Sequence, residues 1–163
     1  MNRLLLTLGA LVIILSACKK EDSPVTAEED LRSGMWRRTS GKVTYKDPQT
    51  HGDSTMDYFT LQPECRKDNV LSFKVNDVGV LDLGVLRCTA GEADTKTFTW
   101  QVREDGTRIS LYGVSDYFPA NDIDADIITR TLGYLTIRYR VITTDAIFQT
   151  ADTMIYTDVL RRN

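Results

Sequence analysis

The feature that most constrains the fold is a pair of alternating segments on either side of Asp105-Gly106. Residues 97–102 alternate polar and apolar side chains before this dipeptide, and residues 108–111 do so after it. A period of two is that of a β-strand with one face in water. Asp-Gly favours the tight turn of a hairpin because such turns need positive φ angles. The sequence therefore predicts an antiparallel β-hairpin here.

Similar segments recur along the chain with turns between them. The sequence predicts further strands near Met35–Tyr45, Met56–Leu61, Val70–Val75, Val80–Arg87, Ile123–Leu132, Leu135–Val141 and Asp152–Leu160, and it allows a short helical turn at Ala27–Ser33. Eight or nine short strands separated by turns suit an all-β domain. Such spacing suits an antiparallel β-barrel or a β-sandwich.

The first eighteen residues have the order of a secretory signal. Arg3 supplies a positive charge, residues 4–15 are apolar and uncharged, and small residues follow in Leu15-Ser16-Ala17-Cys18. The apolar stretch is shorter than the roughly 20 residues that a membrane-spanning helix needs. The Leu-Ser-Ala-Cys ending resembles the lipobox of bacterial lipoproteins, which implies removal of residues 1–17 and attachment of acyl chains such as palmitate at Cys18. An ordinary signal peptide with an incidental cysteine is the alternative.

Residues 18–30 follow as a lipidated cysteine and a flexible tether, because they are polar and have no periodic apolar face. The β-domain is then expected over residues 31–163. Lys20-Glu21-Asp22 resembles the basic-then-acidic signal that directs lipoproteins of Bacteroidetes-type bacteria to the outer cell surface. This resemblance implies a protein anchored by lipid in the bacterial outer membrane and exposed at the surface, with the periplasmic leaflet as the alternative.

Two cysteines, Cys65 and Cys88, remain once Cys18 is assigned to lipid. An even pair in an exported domain predicts a disulfide. Two buried free thiols or a metal-binding pair are the alternatives. His51 is the one histidine, and it lies in a polar loop with no partner at zinc-ligand spacing.

Spaced motifs around these cysteines resemble the core of lipocalin-like lipoprotein domains of Bacteroidetes. The motifs are Cys65-Arg66-Lys67-Asp68-Asn69, Leu71-Ser72-Phe73, Asp77-Val78-Gly79, Cys88, Met35-Trp36, Thr99-Trp100-Gln101 and Asp105-Gly106-Thr107-Arg108-Ile109. The resemblance extends over most of the chain after residue 30, and it implies an eight-stranded up-and-down barrel with a Cys65–Cys88 bridge. Tyr117–Ile128, which is long for a hairpin connection, and an irregular last strand depart from the pattern.

A barrel of this kind turns one face of each strand inward. The residues predicted to line an apolar ligand cavity are Trp36, Phe73, Phe98, Trp100, Leu111, Ile137 and Tyr139, with Leu83 and Tyr156 also predicted to face inward. A packed core of the same residues is the alternative, because a small β-domain needs them for stability. Arg37, Arg38, Arg138 and Arg140 are expected to point outward and keep the wall of the barrel soluble.

Two further patterns concern the surface. Asp122, Asp124 and Asp126 could offer oxygen ligands to Ca²⁺, but the spacing does not match an EF-hand, so we interpret them as a solvated acidic loop and predict no metal site. Ser54 and Thr153 follow aspartates in motifs that resemble the O-glycosylation acceptor of these bacteria. Ser54 is the better candidate because it is expected in a polar loop.

The net charge and the absence of known catalytic motifs exclude several classes of function. A formal net charge of −3, from 20 basic and 23 acidic residues, gives no basic excess for phosphate contacts, so no nucleic-acid partner is expected. Without a Gly-x-Ser-x-Gly, Walker, HExxH or Rossmann motif, we expect neither catalysis nor a cofactor. The leading hypothesis is a lipid-anchored envelope protein that binds a small, partly apolar molecule. The alternative is an interaction module with a filled barrel that contacts an envelope protein through loops Pro48–Met56 and Asp116–Asp126.

Overall fold

The computed structural model describes residues 25–144 and 151–163. The signal segment, Cys18, Lys20-Glu21-Asp22 and most of the predicted tether lie outside the described residues. No helix within the described ranges is long and apolar enough to cross a membrane.

The described chain forms nine strands and two short helices. In chain order they are α1 (Ala27–Arg32), β1 (Met35–Lys46), β2 (Asp53–Asp57), α2 (Glu64–Lys67), β3 (Val70–Phe73), β4 (Val78–Asp82), β5 (Thr95–Arg103), β6 (Arg108–Tyr112), β7 (Asp122–Arg130), β8 (Tyr134–Thr144) and β9 (Ala151–Arg162). Each predicted strand has a counterpart, and the helical turn allowed by the sequence is α1.

The strands form one closed antiparallel barrel. From β3 to β9 each strand pairs with the next in sequence, and β1 closes the cylinder by pairing with both β9 and β3. Eight strands complete the ring, while β2 pairs with the far end of β1 at Lys42–Lys46. The predicted all-β, lipocalin-like barrel is therefore confirmed, and the sandwich alternative is excluded.

The turns between strands follow the predicted chemistry. A single 3-10 turn at Glu104–Gly106 joins β5 to β6, with φ angles of 54° at Asp105 and 89° at Gly106. Asn76 and Asp77 also have positive φ angles, 58° and 61°, in the turn between β3 and β4. These residue types tolerate that region with little steric strain, so the local sequence determines both hairpins.

Two strand boundaries differ from the prediction. The strand expected at Met56–Leu61 is β2, Asp53–Asp57, and Tyr58 leaves it to enter the core. The strand expected at Val80–Arg87 ends at Asp82, because Gly84 has a φ of 68° and the next two backbone amides donate to the carboxylate of Asp68. The Asp68 carboxylate thus accepts the backbone hydrogen bonds that a neighbouring strand would otherwise accept.

Helix α1 lies at one end of the barrel. Thr26 and Glu29 form a capping box at its start, and Leu31 is fully buried. The Trp36 Nε1–H donates to the Leu31 carbonyl over 2.8 Å, and buried Asp30 pairs with Arg162 at the end of β9. Residues 27–30, which the sequence assigned to the tether, are therefore part of the packed domain.

The disulfide joins α2 to the loop that follows β4. Cys65 and Cys88 are bonded, with their Cα atoms 5.3 Å apart. The predicted bridge is confirmed, and this pairing excludes the alternatives of free thiols and a metal-binding pair.

Candidate functional site

The residues predicted to face inward are all buried. Trp36, Phe73, Leu83, Phe98, Trp100, Leu111, Ile137, Tyr139 and Tyr156 all belong to one core cluster. The Phe73 ring centroid lies 5.0 Å from that of Trp100 and 5.8 Å from that of Phe98. Phe98 in turn covers Gly79, where an added Cβ would collide with its ring. This region is a packed apolar core.

A buried ion pair lies elsewhere in the same interior. The Arg38 side chain is 1% exposed and that of Asp158 is 0%, and Arg38 Nη1 is 3.6 Å from Asp158 Oδ1. The expectation that Arg38 points outward is wrong, because it is two residues from inward-facing Trp36 on β1 and so shares its face. Arg37, the residue between them, does lie on the outer face.

Two tyrosines complete the hydrogen bonds of this pair. Arg38 Nη1 donates to the Tyr58 hydroxyl over 2.7 Å, and that hydroxyl donates to Asp158 Oδ1. The Tyr139 hydroxyl donates to Asp158 Oδ2 over 2.7 Å. Both carboxylate oxygens are thus hydrogen-bonded, as a buried charge requires. We call Arg38, Tyr58, Tyr139 and Asp158 the polar cluster.

The protonation states in the polar cluster follow from burial and from the opposed charges. Burial raises the pKa of Asp158, while the positive charge of Arg38 and the two tyrosine hydrogen bonds act against that rise. Burial and then the charge of Asp158 raise the pKa of both Tyr58 and Tyr139. Burial alone would lower the pKa of Arg38, but the charge of Asp158 helps to raise it. The tyrosines are therefore neutral donors and Arg38 is a cation at neutral pH.

Gly41 makes room for the polar cluster. A Cβ at this position would lie 2.6 Å from the Tyr58 ring and 2.7 Å from Asp158 Oδ1. The pairing of β1 with β9 shifts register between Arg38 and Ser40, so Gly41 faces inward as Arg38 does. One β-bulge therefore sets both the charged residue and the space opposite it.

The β6–β7 loop, residues 113–121, folds over the polar cluster, and Val114, Tyr117 and Phe118 are buried in it. Arg38 Nη2 donates to the Tyr117 carbonyl. The Arg38 guanidinium carbon lies 4.6 Å from the Tyr117 ring centroid and 5.4 Å from that of Phe118. Both distances are in the cation–π range, so the loop supplies an acceptor and two rings to one guanidinium.

Two buried polar atoms beside this loop have no hydrogen-bond partner among residues 25–144 and 151–163. They are Arg38 Nε and the Tyr117 hydroxyl. Leaving such a group unsatisfied costs about 1–3 kcal/mol. The polar cluster is therefore incompletely matched by the part of the chain that the structure describes.

The three aspartates lie on a strand and not in a loop, which corrects the interpretation from the sequence. They occupy the outer face of β7, where Asp124 pairs with Arg103 over 2.8 Å and with Arg108 over 2.6 Å. Asp126 is 3.8 Å from Arg108. Within the described ranges, no group of three or more His, Cys, Asp or Glu side chains is arranged to hold a metal ion.

The glycosylation candidates also lie on strands. Ser54 is half-buried in β2, contrary to the polar loop expected, and Thr153 is exposed on β9. Asp53 and Thr153 line one surface groove of about 370 Å³, so the two motifs are neighbours in space. Modification of either residue stays a prediction.

Two other surface grooves are larger than the one beside Asp53 and Thr153. One of about 790 Å³ crosses the outer face near Asp124 and Arg138, and one of about 750 Å³ lies between the start of α1 and the β5–β6 turn. Of the seven residues predicted to line a ligand cavity, only Tyr139 borders either groove. A contact of these seven residues with a ligand stays a prediction.

The strand pairings place the chain in the structural class of closed eight-stranded antiparallel barrels in which successive strands pair. No protein-family model matches it, and no curated protein does. A solved complex of bovine odorant-binding protein with a selenium-containing odorant is 13% identical, with a TM-score of 0.41, covering 90% of this chain and 78% of that one. A deswapped triple mutant of bovine odorant-binding protein is 14% identical, with a TM-score of 0.40, covering 82% and 74%.

Proposed function

We propose that the chain is a non-enzymatic binding protein of the bacterial envelope. Lipid on Cys18 would anchor it in the outer membrane, facing the cell surface. Its barrel would take a small, partly apolar molecule beside Arg38 and Asp158. The single observation that carries the proposal is the polar cluster, a buried ion pair surrounded by aromatic rings inside a closed barrel.

Stability alone would not favour the polar cluster over apolar side chains. A buried ion pair is often no more stabilising than apolar residues of the same volume. Arg38 Nε in the polar cluster and the Tyr117 hydroxyl in the loop beside it also lack a hydrogen-bond partner among the described residues. A few polar groups among aromatic side chains are typical of small-molecule sites, where they orient the ligand. Ligand binding therefore explains the buried charges of the polar cluster, which core packing alone does not.

A second candidate is the interaction module, and one observation favours it. Val85 is 89% exposed and Leu61 is 69% exposed, and both lie in segments next to the disulfide. The carboxylate of Asp68 holds the Val85 amide at 2.8 Å, which fixes this apolar side chain in the solvent. Contiguous exposed apolar side chains are typical of protein-binding surfaces, and Val85 is followed directly by Leu86, which is 50% exposed.

Native mass spectrometry of protein purified from its own host's membranes distinguishes the two candidates. We expect a non-covalent small molecule on the wild-type protein. We expect its loss from the Arg38→Met/Asp158→Leu double variant, which removes the pair while keeping an apolar core. Arg37→Met, which changes an exposed arginine next to Arg38, is the matched control and should keep the molecule. A wild-type protein that carries only an envelope protein would contradict ligand binding and support the interaction module.

The anchor is tested separately. Cys18→Ala should move the protein from the membrane fraction to the soluble fraction, because the acyl chains on Cys18 are the membrane anchor that we propose. Digestion of intact cells by an added protease should remove the wild-type protein if it faces outward. Unchanged membrane fractionation of the variant argues against lipidation, and protection from protease argues for the periplasmic leaflet.

A further inference from the structure

We infer that the β6–β7 loop is a built-in occupant of the ligand site, and that the ligand which displaces it is a neutral aromatic carbonyl compound. This inference rests on the proposed function. The loop places a hydrogen-bond acceptor and an aromatic ring on the same guanidinium, and a competing ligand would have to offer the same two groups.

The loop contacts define those two groups. The Tyr117 carbonyl oxygen accepts from Arg38 Nη2. The next ring along the chain, Phe118, lies 5.4 Å from the Arg38 guanidinium carbon and meets the Tyr139 ring edge-on at 5.7 Å. An aromatic ring close to a carbonyl oxygen reproduces both contacts in one small molecule.

The charge balance selects a neutral ligand. Asp158 already compensates Arg38, and both side chains are almost completely buried. A carboxylate ligand would add a buried negative charge with no counter-ion in the polar cluster, which is strongly unfavourable. A ketone or amide oxygen accepts the same hydrogen bond without that charge.

The free donor on Arg38 gives the ligand an advantage over the loop. The Nε–H and one Nη2–H of a guanidinium lie in its plane and point in nearly the same direction from one edge. The Tyr117 carbonyl takes a bond from Nη2, while Nε has no partner among the described residues. A carbonyl oxygen with two lone pairs can accept from both, so displacement of the loop adds a hydrogen bond.

The backbone hydrogen bonds of the loop are largely internal, so its displacement would break side-chain packing and not a strand ladder. The Phe118 amide donates to the Val114 carbonyl and the Val114 amide donates to the Asn121 carbonyl, each over 2.8 Å, so the loop is bonded largely to itself. Gly113, with a φ of 81°, lies at its start. The Lys96–Asp116 ion pair that ties the loop to β5 is partly exposed, and such pairs hold weakly.

The test uses 6-propionyl-2-dimethylaminonaphthalene, a neutral aromatic ketone whose emission shifts to the blue in apolar surroundings. We expect Phe118→Ala to bind it at least about tenfold more tightly than the wild type, because a minor open state is populated to about one tenth or less and lowers the apparent affinity by that fraction. Leu81→Ala is the control, because it opens a space in the apolar core at a buried residue that is not predicted to line the ligand site. Phe118→Leu, a milder change, should bind with intermediate affinity and serves if the alanine variant does not fold.

The outcomes separate the inference from the proposed function. Displacement of the probe by 2-acetylnaphthalene but not by 2-naphthoate supports a neutral carbonyl ligand, and equal displacement overturns that part. Equal affinity of Phe118→Ala and Leu81→Ala overturns the role of the loop, even if native mass spectrometry still finds a bound molecule on the wild type. Absence of probe binding by every variant, together with no bound molecule in native mass spectrometry, overturns the proposed function itself.

Discussion

Arg38→Met alone is expected to lower the free energy of unfolding by about 3–5 kcal/mol, because it leaves Asp158 as an uncompensated buried charge. The change also removes the donors to Tyr58 and to the Tyr117 carbonyl. Urea denaturation followed by circular dichroism measures the effect. Arg37→Met on the outer face of the same strand should change the free energy by about 0.5 kcal/mol or less.

The double variant Arg38→Met/Asp158→Leu separates the value of the pair from the cost of breaking it. Replacing both charges removes the uncompensated charge but leaves the Tyr58 and Tyr139 hydroxyls without their acceptor on Asp158. The double variant is therefore expected to recover part of the loss and to stay about 1–3 kcal/mol below the wild type. The double-mutant cycle then gives a large coupling between the two positions. If the double variant loses as much free energy of unfolding as the two single variants together, the two charges do not stabilise each other.

The pH dependence of Arg38→Met gives a second measurement of the same effect. Burial raises the pKa of Asp158 in the folded state, so its contribution to stability is present below the unfolded pKa and is lost as pH rises through the folded value. Removing Arg38 takes away a charge that lowers this pKa, so the folded value rises further. The deficit relative to the wild type should therefore be largest at neutral pH and shrink in acid, where Asp158 takes up a proton.

The fold was predictable because its signals are local. Alternation on both sides of Asp105-Gly106 determines a hairpin within a few residues, and Asn76-Asp77 does so for another. Closure of the barrel follows from pairing β1 with β9, which the number and spacing of strands indicated. The ends of β2 and β4 were misplaced because Tyr58 and Asp68 act through distant contacts.

The polar cluster was only partly predictable. Arg38 is two residues from Trp36, and Asp158 stands between Tyr156 and Leu160 on β9, so parity alone would have placed both charges inside the barrel. The sequence gives no local signal for the bulge after Arg38. The β6–β7 loop has no periodic pattern, so its position over Arg38 depends on tertiary packing.

Removal of the disulfide is the second large effect that we expect. Cys65→Ser/Cys88→Ser should lower the free energy of unfolding by about 3–4 kcal/mol in the chain-entropy model, because the bridge closes a loop of 23-residue separation. Urea denaturation with and without a reductant measures it. The wild type should fall to the stability of the double serine variant when reduced, and the variant should not respond. A reductant effect on the variant would point to a cause other than this bridge.

The same variant tests whether the bridge also supports the polar cluster. Tyr58 and Phe59 are held by their own backbone amides, which donate to the Gly41 carbonyl over 3.1 Å and 3.2 Å, so Tyr58 should keep its place without the bridge. Effects at independent sites add to within about 0.3–0.5 kcal/mol. We therefore expect the Arg38–Asp158 coupling to be unchanged in the serine background. A smaller coupling there would show that the segment from Tyr58 to Cys65 transmits the constraint of the disulfide into the barrel.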